Sequence, residues 1–150
     1  MIQRIQSLYL LLGAIGQIIF ATGTYFIYKS SEMTYQVCGS GIYNYEGEKV
    51  DGDSKSFFLG LAVALFAIIT IFLFKNRKQQ IKFSKIAGLI TIAEIIFLVI
   101  TFFNINQNNE NSISFGLSVF IAPITTILFF LAHKSIKKDD ELIRSVDRIR

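Results

Sequence analysis

A single acid, Glu94, stands inside an otherwise apolar stretch of 18 residues, 86–103. At the centre of a membrane span an ionised carboxylate costs roughly 2.5–3.5 kcal/mol on insertion scales. A carboxyl there is expected to be neutral and to find hydrogen-bond partners. If the apolar stretches of this chain bundle together, the partners on offer are Gln17, Thr91, Ser118 and Thr125. Two roles fit such a group. One is a proton or cation carrier site in a small transporter or channel subunit. The other is a neutral carboxyl that bonds across a bundle and holds helix register. No Lys, Arg, Asp or His stands mid-stretch to complete a relay or an ion pair, which favours the register role. His133 falls at the inner end of the last apolar stretch, where an interfacial position is expected.

Other chemistry-bearing residues are less promising. Glu46, Glu48, Asp51 and Asp53 crowd one polar segment but lack the spacing of a calcium loop, so a solvated loop is expected. Cys38 is the one cysteine. No internal disulfide can form, and an idle thiol or an intermolecular disulfide remains. There is no phosphate-cradling glycine loop, no zinc spacing, and no nucleophile placed with a His and an acid. Neither a catalytic activity nor a cofactor is expected.

The elements that would position Glu94 follow from composition. The chain has 150 residues, 52% of them hydrophobic and 17% charged. A soluble domain of that size leaves roughly a third of its chain surface wet and could not hide so much apolar area. The charges gather in short segments between apolar stretches, which are read as spans at 8–28, 57–74, 86–103 and 113–132. Twelve Lys and Arg lie in the N-terminal segment, the link between the second and third spans, and the tail; three lie in the first outer loop and none in the third. Both termini and the link should therefore face the cytoplasm. Tyr9 then marks the inner interface, and Tyr25 and Tyr28 the outer one. Arg4, the run from Leu8 to Phe20 and the small residues after it look like a cleavable leader. Apolar sequence continues to Tyr28, so a retained span is expected.

Helices in lipid associate through small residues and interhelical hydrogen bonds. At helical spacing each span shows one such stripe. These are Gly13, Gly16, Gln17, Gly23 and Thr24; then Gly60, Ala64 and Ala67; then Ala87, Thr91, Glu94 and Thr101; and last Ser114, Ser118, Ala122 and Thr125. Pro123, mid-span, predicts a kink. In the first outer loop, Met33 to Val37 and Ile42 to Tyr45 flank Cys38-Gly39-Ser40-Gly41, which predicts a small β-hairpin. The third loop reads as a polar turn. Leu142, Ile143, Val146 and Ile149 share one side of a helical tail, which predicts an amphipathic interfacial helix with its basic side toward anionic headgroups. Lys75, Arg77 and Lys78 on the link, with Lys137, Lys138, Arg144 and Arg148 on the tail, are the candidate lipid-contact or interaction residues.

The fold class expected is an all-α membrane protein. It is a single four-transmembrane-helix bundle over residues 1–150, with a small hairpin outside and an amphipathic helix inside. Three segments also carry a resemblance. They are Met1-Ile2-Gln3-Arg4-Ile5-Gln6 with Tyr9-Leu10-Leu11-Leu12; Phe72-Leu73-Phe74-Lys75-Asn76-Arg77-Lys78-Gln79; and Ile136 through Arg150. Together they resemble an uncharacterised family of small four-span membrane proteins of Bacteroidota, known as a domain of unknown function. The resemblance implies a bacterial inner-membrane location and brings no activity or catalytic residue. In layout alone the chain is loosely similar to claudin-type proteins, without their loop tryptophan and paired cysteines. The function expected is that of a non-enzymatic assembly or interaction protein. Its partners would be anionic lipid and a second membrane protein or another copy of the chain, with no role for nucleic acid. The alternative is a transporter or channel subunit that uses Glu94, Gln17 and Thr91.

Overall fold

The first apolar stretch is not one element. In the computed structural model, which describes residues 3–30, 33–108 and 112–147, helix α1 spans Gln3–Thr22 and stops. The Gly23 amide closes its last turn on the Ile19 carbonyl at 2.9 Å. Thr24-Tyr25-Phe26-Ile27-Tyr28 then runs as a strand, β1, Thr24–Ser30. β-Branched and aromatic residues suit a pleated surface better than a helix. The expected span at 8–28 is thus displaced: its length comes from Gln3 to Ser7 at the front, not from the tyrosines behind.

The expected hairpin is present and belongs to something larger. Strands β2, Met33–Cys38, and β3, Gly41–Asn44, pair antiparallel with Cys38 opposite Gly41. Gly41 has φ of 138°, a conformation that favours glycine. Strand β4, Lys49–Asp51, and strand β5, Ile113–Phe115, complete a five-stranded antiparallel sheet in the order β4-β3-β2-β1-β5. β5 starts where the fourth span was expected to start.

Three more helices follow the same logic. Helix α2 covers Lys55–Phe72, α3 Arg77–Asn108 and α4 Leu117–Asp147. A 3-10 turn, Leu73–Lys75, joins α2 to α3, and Asn76 accepts the Gln79 amide on its side chain at 3.3 Å, capping the start of α3. α3 therefore takes in the basic link before it, and it runs on into the third loop, where a turn was expected. α4 continues through Pro123 and on through the basic tail with no break. From Ile124 to Asp147 there is no glycine or proline to stop it. The tail is the continuation of the fourth helix, not a separate interfacial one. At 1.5 Å per residue its 31 residues measure about 46 Å. Four helical segments, Ile5–Thr22, Lys55–Lys75, Arg77–Gln107 and Leu117–Ile143, are long and apolar enough to cross a membrane.

The helices form a ring in which α1 packs against α4 and α2, and α3 against the same two. α1 and α3 are therefore diagonal. Small residues set the closest approach. A Cβ on Gly13 would stand 2.7 Å from the Phe129 ring, and one on Gly16 2.3 Å from the Thr125 methyl. Gly60 meets Ala21 in the same way across the α1–α2 contact.

Two apolar clusters fill the ring. One holds Leu10, Ala14, Ala67, Ala87, Phe129 and Ile136. The other lies under the sheet and holds Phe20, Tyr25, Phe26, Val37, Leu98 and Ala122. Tyr25, expected at the interface, is only 1% exposed and stacks on Phe20 at 4.9 Å between centroids. The outward faces carry Leu65, Ile69, Ile96, Ile100, Ile124 and Ile127, all exposed.

Candidate functional site: a polar layer across the bundle

Between the two apolar clusters lies one polar layer. Along α1 the buried order is Leu10, Ala14, Gln17, Phe20; along α3 it is Ala87, Thr91, Glu94, Leu98; along α4 it is Ala122, Thr125, Phe129. Helical spacing of three and four residues brings Gln17, Thr91, Glu94 and Thr125 to the same depth from three helices. Gln17 donates from Nε2 to Glu94 Oε2 at 2.9 Å and reaches Thr125 Oγ1 at 3.4 Å. The first bond crosses the ring diagonally, from α1 to α3. Gln17 is fully buried and Glu94 is 4% exposed.

None of the three hydroxyls expected as partners bonds Glu94: Thr125 accepts from Gln17 and donates to the Ala122 carbonyl of its own helix at 2.8 Å. Thr91 donates to the Gly88 carbonyl of its own helix at 2.9 Å. Ser118 donates to the Ile19 carbonyl at 3.4 Å, binding α4 to the end of α1. Among the described residues three buried polar side-chain atoms have no hydrogen-bond partner: Glu94 Oε1, Gln17 Oε1 and the Tyr25 hydroxyl. Tyr25 was not expected here. The strand register shifts between Thr24 and Phe26, and with that irregularity Tyr25 and its neighbour Phe26 are both buried, which simple alternation in a β-forming run does not announce.

Tyr25 also lines a cavity of about 320 Å³ beneath the sheet, with Cys38, Lys55, Ser56, Phe97 and Thr101 around it. The hairpin turn roofs it. A Cβ on Gly39 would stand 2.5 Å from the Ala21 carbonyl and 2.8 Å from the Tyr25 hydroxyl. The Phe57 amide at the start of α2 donates to the Gly39 carbonyl at 3.0 Å, and the Ser54 hydroxyl to the Ser40 carbonyl at 3.0 Å. At the mouth Lys55 pairs with Asp53, and its ammonium holds the Asp53 carboxyl below the usual carboxylate range. Burial pushes the Tyr25 hydroxyl well above its ordinary pKa, and the charges of Glu94 and Cys38 add to the shift.

The acids of the outer loop do not make a metal site. Asn44 hydrogen-bonds Glu48, Asp51 takes the Gly52 amide, and Asp53 pairs with Lys55. Among the described residues no three His, Cys, Asp or Glu side chains converge. Cys38 is a free thiol, 3.7 Å from the Thr24 hydroxyl.

A family model described as a domain of unknown function, DUF4293, matches residues 2–149. The chain belongs to this family. No curated protein matches it.

In this DUF4293 chain the basic candidates collect at the end of the ring opposite the sheet. Lys75, Lys78, Lys137 and Lys138 are exposed there. Lys137 stands 3.9 Å from Glu141. Arg77 instead turns back and donates to the Asp139 carbonyl at 3.4 Å. The side chain of Arg144, and Arg148 altogether, lie outside the described residues. Sequence reasoning missed what holds this end. Asp139 is 8% exposed and accepts from Gln6 of α1, which also reaches the Ser135 carbonyl at 3.3 Å. Gln80 donates to the Thr70 carbonyl at 3.2 Å, and His133 Nδ1 lies 3.0 Å from the Ile81 carbonyl. The signal was the inward run Ala132, Ile136, Asp139, which continues the core face of α4 into the tail.

Proposed function

We propose that the chain is a multi-pass integral protein of the bacterial inner membrane, non-enzymatic, that works by assembly or interaction through its basic end. Both termini and the α2–α3 link face the cytoplasm, and the sheet faces outward. The observation that carries this reading is the placement of the exposed cations. Lys75, Lys78, Lys137 and Lys138 gather at one end of a ring whose sides are bare Leu, Ile, Val and Phe. Contiguous apolar surface of that extent does not persist in water. With hydrocarbon about 30 Å thick, an α4 of about 46 Å must project beyond it at the basic end. Exposed lysines near a membrane surface contribute about 1 kcal/mol each toward anionic lipid. The projecting end of α4 is thereby offered to a second membrane protein or another copy of the chain.

Orientation is tested by labelling. In a Cys38→Ser background, Tyr45→Cys on the sheet should react with a membrane-impermeant maleimide on intact cells. Lys78→Cys should react only after permeabilisation. The opposite pattern inverts the topology.

The interaction itself is tested by crosslinking and co-purification of the full chain against a tail truncation. The cut has to respect the fold. Removing everything from Lys137 onward would strip Asp139 and leave Gln6 only the Ser135 carbonyl. Truncation after Asp140 leaves that contact in place. The shortened protein should remain folded and lose its crosslinked partner or oligomer; unchanged crosslinks would remove the tail from the proposal.

A further inference from the structure

We propose that the Gln17–Glu94 pair is a proton-binding site that exchanges its proton with the sheet side of the molecule, through the cavity beneath the sheet and past the Tyr25 hydroxyl. The argument starts from the orphaned atoms. The pair makes one hydrogen bond, Gln17 Nε2 to Glu94 Oε2, and leaves one acceptor oxygen on each partner unsatisfied. Both residues are more than nine-tenths buried. A buried acceptor left bare is costly, and two on one bonded pair mark a missing donor. A proton on Glu94 Oε1 converts that oxygen into a donor. Beside it stands the bare Gln17 Oε1, so one proton can satisfy both atoms and complete an acid–amide pair.

The route is suggested by the third orphan. Tyr25 is 1% exposed, its hydroxyl has no partner, and it belongs to the wall of the sheet-side cavity. A hydroxyl both donates and accepts, so it can take a proton from cavity water while passing its own inward. The balance is simple. Hydronium in the cavity plus the Glu94 carboxylate gives water plus the Glu94 carboxylic acid, and Tyr25 ends as it began. Phe97 and Thr101, one and two turns along α3 from Glu94, line the same cavity and bring it toward the pair.

Few other groups interfere. From β1 the titratable group is Tyr25, and from β2 it is Cys38, beside Thr24. α2 presents Gly60, Val63, Ala64 and Ala67, and α4 presents Thr125 and Ser118. The charged groups on the route are Lys55 and Asp53, which line the cavity and pair with each other at its mouth. The site thus differs from a rigid register lock, in which the carboxyl would stay neutral at every pH.

Infrared spectroscopy of the full chain in lipid nanodiscs tests this. The Glu94 signal is the carboxylic-acid C=O band present in the wild type and absent from Glu94→Gln, which keeps the Gln17 contact isosterically. That band should diminish as pH rises and shift in D2O. Tyr25→Phe and Ser56→Phe, the second placing a ring in the cavity wall far from the pair, should each slow the D2O exchange several-fold. Either variant alone decides the route should the other fail to fold. Four results would overturn the proposal. They are no band lost in Glu94→Gln; a band that persists unchanged across the pH range; exchange as fast as wild type in the folded route variants; or loss of the band at fixed pH when Na⁺ replaces choline, which would make this a cation site.

Discussion

Gly116→Ala should cost the protein its folded state. An added Cβ would stand 2.0 Å from the Thr24 carbonyl oxygen and 2.7 Å from its carbon. Both are backbone atoms of β1, so no side-chain rotation relieves the contact. The segment cannot move off either, because the Gly116 amide donates to the Tyr25 carbonyl at 2.8 Å. That bond sits where β5 turns into α4, directly behind three strand pairs that end at Phe26 opposite Phe115. Forced apart, β1 and β5 would also separate the Phe26, Phe102 and Phe115 rings, which meet at 5.6–6.0 Å. Overpacking against a side chain costs about 1–3 kcal/mol. Here backbone must yield and a hydrogen bond is lost with it, so the expected cost is at the top of that range or above. Thermal unfolding in detergent, followed by circular dichroism, should show a markedly lower midpoint or no folded fraction. Gly47→Ala is the control. Nothing lies within 4 Å of its Cβ, and only its φ of 84° opposes the change.

The same contact explains which parts of the fold could be read without coordinates. Hydropathy reports composition over a window, and the centres of all four helices are apolar enough to stand out. It does not report period. Tyr25 to Tyr28 is as apolar as the end of a helix and reads as one in such a window, although Gly23 supplies a stop. Ile113 to Phe115 merges into the fourth apolar stretch for the same reason, although Gly116 separates it from α4. The two misplaced ends are partners, β1 and β5, and their pairing is long-range. No local pattern could have announced it. By contrast the β2–β3 hairpin was visible because its turn and both strands are contiguous.

At the polar layer the stripe argument worked where spacing alone decides depth. Gln17, Thr91, Glu94 and Thr125 do share a level. Which of them bond is a matter of rotamer and helix rotation, and Thr91 uses its own Gly88 carbonyl instead. The tail shows the opposite case. Its exposed Leu142 and Ile143 suggested an interfacial helix, while the informative residue was Asp139, an acid at a position where the core face required an apolar one. Buried acids paired to an amide across two helices are not separable by sequence from solvated ones.

Glu94→Leu and Gln17→Leu should each destabilise the chain, and the double substitution should restore most of the loss. In Glu94→Leu the Gln17 amide keeps only the long contact to Thr125 at 3.4 Å. In Gln17→Leu the carboxyl keeps no described hydrogen bond, so this single should be the worse of the two. Leaving a buried polar group unsatisfied costs about 1–3 kcal/mol, whereas replacing both partners by apolar groups is close to neutral. Both leucines would extend the clusters above and below, where Phe20 and Leu98 on one side and Ala14 and Ala87 on the other are already apolar. The cycle should therefore be strongly non-additive, by about 0.5–2 kcal/mol given what interhelical bonds contribute in lipid. Chemical-denaturant unfolding of the four proteins in one mixed micelle measures it. Additive losses would mean that the α1–α3 bond does not operate as a unit. A stable double variant would also show that the layer is dispensable to the fold.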